Sequence, residues 1–151
     1  MKKRIIAILA GAILILEGTL MVGAAETADQ SFSFMLTSSQ YSAGSGPSGR
    51  ILPIKIRSKT NKTSVYTKIT TAPASYVLAR AYGDRGTGSC VYNETLGTNA
   101  RVSKNVQSSI RSNVYENGGR FCLLKLKGDG SSGAVSGIWS PDSTRQYTVV
   151  N

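Results

Sequence analysis

The sequence predicts an all-β fold, a single small antiparallel β-sandwich with one disulfide, and three observations lead there. Short runs alternate apolar and polar side chains with a period of two. Turns rich in Gly, Ser and Pro separate them at short intervals. Beyond residue 25 the chain is rich in Ser, Thr, Gly, Tyr and Val, with few runs of helix-favouring residues.

Residues 31–36 open the series, with Phe32 and Phe34 alternating against Ser31 and Ser33. Residues 38–49 contain Ser-Ala-Gly-Ser-Gly-Pro-Ser-Gly, a composition expected to form a mobile loop. In 51–57, Ile54 and Ile56 fall on one face and Lys55 and Arg57 on the other, while Pro53 marks an edge strand or a strand start. Residues 65–70 and 76–82 read as strands parted by Ala72-Pro73-Ala74, and 83–88 as a glycine-rich turn into 90–92. Patterning weakens from 93 to 119, which reads as loop-rich. The clearest strand is 120–127, where Cys122, Leu124 and Leu126 share a core face and Phe121, Leu123, Lys125 and Lys127 the opposite one. Asp129-Gly130 suits a hairpin loop over 128–133, because both residue types accept positive φ. It leads to a strand over 134–139 with Trp139 in the core, a turn over 140–143 and a last strand over 146–150.

The amino terminus carries an export signature. Lys2, Lys3 and Arg4 precede twelve apolar or glycine residues, 5–16, and small residues gather at Val22-Gly23-Ala24-Ala25. An apolar run of this length is short of the roughly 20 residues of a membrane span, and Glu17 follows it directly. Residues 1–25 are therefore expected to be a signal peptide cut after Ala24 or Ala25, and 26–151 the β-sandwich domain. The product would be secreted, with cell-wall association as a further expectation. The whole chain has a formal charge of +10, and losing three cations with one carboxylate leaves +8.

In an oxidising compartment the two cysteines, Cys90 and Cys122, are expected to pair as a disulfide. Such a bridge, closing about 33 residues, would contribute roughly 3–4 kcal/mol. A redox pair would want closer spacing, and a metal site more ligands than a chain with no histidine offers.

The same lack of histidine removes Ser-His and Cys-His nucleophile pairs, and no serine has a lysine three positions on. A glycosidase-type carboxylate pair would have to come from Asp84, Glu94, Glu116, Asp129 and Asp142, each of which reads more simply as a turn residue. The expectation is a non-enzymatic protein without cofactor or metal.

Charge is the functional signal that remains. Lys55, Arg57, Lys59, Lys62 and Lys68 lie within fourteen residues. If the strands at 51–57 and 65–70 paired, Lys55, Arg57 and Lys68 would share a solvent face suited to polyanions. The candidate partners are anionic cell-wall polymers or a membrane surface. Nucleic acid is not expected, since Tyr66 alone among these cations gives little stacking surface.

Phe32-Ser33-Phe34, Asn99-Ala100-Arg101-Val102-Ser103, Tyr115, the strand around Leu124 and Val135-Ser136-Gly137-Ile138-Trp139-Ser140-Pro141-Asp142 together resemble a family of small exported Gram-positive bacterial proteins carrying only a domain-of-unknown-function label. The chain departs from that family's pattern at Ile138, where an aromatic residue is expected, and in its cysteine pair. The resemblance implies a signal peptide, one β domain and an exported location, and supplies no functional residues. The function expected is an envelope-associated binding module. A bacteriocin-like antagonistic protein is the second reading that a small, cationic, exported chain permits.

Overall fold

An alternating run becomes a strand only where a neighbour completes its backbone hydrogen bonds. The computed structural model describes residues 26–44, 51–144 and 147–151. Its strands, in chain order, are β1 (Gln30–Leu36), β2 (Arg57–Ser58), β3 (Val65–Thr71), β4 (Tyr76–Gly83), β5 (Tyr92–Asn93), β6 (Ala100–Ser103), β7 (Gln107–Ile110), β8 (Phe121–Gly128), β9 (Gly133–Ser140) and β10 (Thr148–Val149), with no helix among the described residues. They form two sheets. One runs β1-β9-β3-β7-β10 and the other β2-β8-β4-β5, with β6 also on β4. All pairs are antiparallel except β10 with β7.

The core lies between the sheets. The first contributes Phe32, Phe34, Leu36, Val65, Ile69, Ile110, Val135 and Trp139, and the second Val77, Ala79, Ala81, Ala100, Val102, Cys122, Leu124 and Leu126. This is the β-sandwich arrangement that period-two patterning predicts, and both Trp139 and the Cys122-Leu124-Leu126 row face inward.

Several expectations are corrected. Cys90 and Cys122 are free buried thiols, so the fold holds together without the expected disulfide. Burial raises both thiols, Cys90 to about 11 and Cys122 to about 12, which keeps them protonated and unreactive at neutral pH. The 51–57 run is not one strand. Leu52 bridges Ser33 of the first sheet, whereas Arg57–Ser58 pairs with β8 of the second, so this segment crosses between the layers with Ile54 buried on the way. The turn after β8 is likewise a crossing and not a hairpin, because β8 and β9 belong to different sheets. It is sharp enough that a Cβ at Gly128 would lie 1.8 Å from the Ser131 carbonyl oxygen.

The region read as loop-rich, 93–119, holds β6 and β7, and β7 lies inside the first sheet. Its Gln-Ser-Ser-Ile sequence hides a strand because buried serines stand in for apolar residues: the Ser108 hydroxyl donates to the Val106 carbonyl, and the Ser109 hydroxyl accepts from the Tyr147 amide. Residues 45–50 of the expected mobile loop, Gln146 of the expected last strand and the 1–25 leader lie outside the described residues.

Close packing of β9 gives a direct test. Gly137 pairs with Phe32 on one side and Ile69 on the other, and a Cβ there would stand 2.3 Å from the Lys68 carbonyl oxygen and 2.9 Å from Phe32 Cζ. Gly137→Ala is expected to cost about 2–3 kcal/mol in urea unfolding. An unchanged midpoint would mean that β9 does not sit in this register.

Candidate polyanion-binding face

Side chains on β4 and β8 alternate between the core and the outer surface of the second sheet. On β4 the parity that buries Val77, Ala79 and Ala81 turns Tyr76, Arg80 and Tyr82 outward, and on β8 it turns out Lys125 and Lys127. Register then makes neighbours of them. Arg80 is opposite Lys125, and Leu78 lies between Lys127 on one side and Arg101 of β6 on the other. Ser42 bridges Leu126 at the edge of β8, which brings Tyr41 beside this row.

The result is a surface of cations laid over tyrosine rings. Arg80 lies 4.3 Å and Lys127 5.3 Å from the centroid of Tyr41, Lys125 4.1 Å from that of Tyr82, and Arg101 5.1 Å from that of Tyr76. Asn99 fixes the centre, accepting from Arg80 Nε at 3.0 Å and from the Tyr41 hydroxyl. Among the described residues the ion pairs are Arg57–Glu26, Lys59–Asp142 and Arg85–Glu94, so these four cations pack on rings, Arg80 also on the Asn99 amide, and lie outside those ion pairs. One carboxylate, Asp129, sits at the rim and accepts from the Tyr76 hydroxyl. That hydrogen bond raises the Tyr76 phenol, and burial raises Tyr41 against the opposing Arg80 charge, so both rings stay neutral at neutral pH. Cation–π packing of this kind limits side-chain freedom while leaving the charge in place for a ligand.

A family model for proteins of unknown function, DUF2712, matches residues 20–143. The chain belongs to this family. No curated protein and no solved structure matches it. In this DUF2712 chain the matched stretch takes in β1 to β9, so Tyr41, Tyr76, Arg80, Tyr82, Arg101, Lys125 and Lys127 all lie within it.

The three cations singled out in the sequence are not gathered on that face. Lys55 is exposed in the crossing segment, Lys68 is half-buried on β3 of the first sheet, and Arg57 belongs to β2 of the second. The pairing that would have aligned them does not occur, since β2 pairs with β8 and β3 with β7 and β9. Arg57 is occupied as well: it pairs with Glu26, donates to the Ala28 carbonyl at 2.5 Å and lies 5.9 Å from the Trp139 ring centroid.

Three carboxylates read as turn residues are buried anchors. Asp84 accepts from the backbone N–H groups of Arg120, Phe121 and Gly88, and these outweigh its burial and hold its carboxyl below the usual range. Glu94 accepts from Arg85 Nε at 2.5 Å and Asn117 Nδ2 at 2.6 Å. Asp142 pairs with Lys59 at 2.8 Å, both side chains being fully buried. Its Oδ2 takes the Thr60 amide at 3.1 Å and the Thr60 hydroxyl at 2.9 Å. Lys59 Nζ spends its other donors on the carbonyls of Thr63 and Pro141.

Proposed function

We propose that the protein is an exported, non-enzymatic module that acts at the cell envelope by holding a phosphate-bearing wall polymer on the outer face of β4, β6 and β8. The observation that carries this reading is the row of Arg80, Arg101, Lys125 and Lys127, packed on tyrosines and outside the ion pairs of the described residues. Fixed cations spaced along one sheet face suit a flexible chain with repeating negative charge, and the net positive charge draws such a chain in. The basic, apolar leader directs the reading to the outside of the cell, where wall polymers are the abundant polyanions.

The test is co-sedimentation of the purified protein with Gram-positive cell walls, with and without their teichoic acid, across a salt series. Binding should be strong at low salt, weaken as salt screens the exposed charges, and disappear with the teichoic acid. No sedimentation at low salt would contradict the proposal. Preferential binding to a single-stranded oligonucleotide would move the assignment to nucleic acid, and killing of neighbouring strains by the protein would move it to the antagonistic class.

A further inference from the structure

The backbone nitrogen of Glu26 lies 3.0 Å from Asp142 Oδ2, on the carboxylate that closes the sandwich from the opposite end of the chain. Asp142 returns a weaker hydrogen bond, from its own amide to the Glu26 carbonyl at 3.4 Å. The Glu26 side chain is held by Arg57, which also ties down the Ala28 carbonyl. Further along, Gln30 accepts from Trp139 Nε1 at 2.9 Å as β1 begins. The folded unit is thus fastened at Glu26, and its backbone nitrogen, which cleavage after Ala25 would free, already donates to the buried carboxylate.

We infer that Asp142 is a receptor for a new amino terminus: hydrolysis of the Ala25–Glu26 bond creates an α-ammonium group on Glu26 that docks on Asp142 and locks the mature fold. This rests on the export reading but not on the ligand of the basic face. The chemistry is peptide hydrolysis: water adds across the bond, Ala25 leaves with a carboxylate and Glu26 gains a protonated amine. One amide donor becomes three, with a full positive charge 3.0 Å from an acceptor whose other partners are Lys59, Thr60 and the more distant Thr63. A small cavity beside it is lined by Asp29, Tyr66, Ser143 and Tyr147, with Asp29 supplying a further carboxylate on that side. The charged and titratable groups around the new ammonium are therefore Asp142 and Asp29, Lys59, the Glu26–Arg57 pair, and the phenols of Tyr66 and Tyr147. Of the two cleavage positions that the small residues allow, only the one after Ala25 places the ammonium on this nitrogen. A cut after Ala24 leaves an ordinary amide there.

Expression of the full chain in a secreting bacterium, with the exported product identified by intact mass and amino-terminal sequencing, tests the position. The product should begin at Glu26, and one beginning at Ala25 or elsewhere would overturn the inference. Retention of the unprocessed chain in the cells would instead defeat the export reading, while failure to bind cell walls would touch neither result. Docking is tested by thermal unfolding of two chains, one starting at Glu26 and one retaining residues 22–25. An α-amino group has an ordinary value near 8, and pairing with a carboxylate raises it in the folded state. Its stabilisation is therefore complete below about pH 8 and lost as pH climbs through the raised value. The chain starting at Glu26 should melt about 4 °C higher at pH 6, and the gap should close by pH 10. Equal melting temperatures at pH 6 would show that no docking takes place.

Discussion

Asp142→Ala is expected to lower the unfolding free energy at pH 7 by about 3–5 kcal/mol, a large part of what holds a domain of this size together. The substitution leaves the ammonium of Lys59 buried with two carbonyls and no counter-charge, and it strips the acceptor from the Thr60 amide, the Thr60 hydroxyl and the Glu26 nitrogen. Isolating a charge in the interior costs more than the ion pair contributes when whole, which is why the loss exceeds that of a surface pair. The pH dependence has a definite sign. Burial disfavours the Asp142 carboxylate, but the Lys59 hydrogen bond and charge with the two Thr60 hydrogen bonds prevail and hold it below its ordinary value. A carboxyl depressed in the folded state stabilises the protein above its unfolded value near 4, and that stabilisation fades as pH falls through the folded one. Asp84 is depressed in the same sense. Urea midpoints of the parent and Asp142→Ala chains should therefore lie far apart at pH 7 and converge below pH 4. A gap that persists at low pH would mean that Asp142 acts through packing and not through charge.

Trp139→Ala is expected to cost a further class of stability, about 3–5 kcal/mol, through the cavity it opens. Trp139 is fully buried on β9 between the sheets, and its indole N–H is satisfied by Gln30 Oε1. As the sole tryptophan it also reports on itself, since its emission should be that of a buried indole and shift to longer wavelength on unfolding. Trp139→Phe keeps most of the volume and should lose much less than alanine. Equal losses in the two variants would place the cost in the missing hydrogen bond.

Local pattern made the inner faces legible. Phe32 and Phe34, Val77, Ala79 and Ala81, and Cys122, Leu124 and Leu126 are buried as alternation requires. Pairing across the chain was not legible, and three errors share that origin. The 51–57 run alternates like a strand, yet Pro53 has no N–H to donate and the segment changes sheets. β7 is a strand only because β3 and β10 flank it, since its serines carry no apolar signal. Lys55, Arg57 and Lys68 are near neighbours in sequence but lie in the crossing segment, on β2 of the second sheet and on β3 of the first. The signal for the other face was present in outward parity, with Tyr76, Arg80 and Tyr82 in one run and Lys125 and Lys127 in another. What joins them is the register of β4 on β8, a contact between residues more than forty apart. The Lys59–Asp142 pair was hidden for the same reason, its members lying 83 positions apart in sequence.

Whether the β4–β8 face is the binding site is decided by comparing two triple variants that carry the same change in charge. Arg80→Gln, Lys125→Gln and Lys127→Gln remove the cations of the β4–β8 face, whereas Lys55→Gln, Lys62→Gln and Lys68→Gln remove three that lie elsewhere. Binding of each to teichoic-acid-bearing walls at low salt separates a site from a diffuse charge effect. The first variant should bind at least about tenfold more weakly with a flattened salt dependence, and the second within about twofold of the parent. Equal weakening of the two would contradict that assignment, reducing the tyrosine-backed face to one part of an evenly spread positive surface.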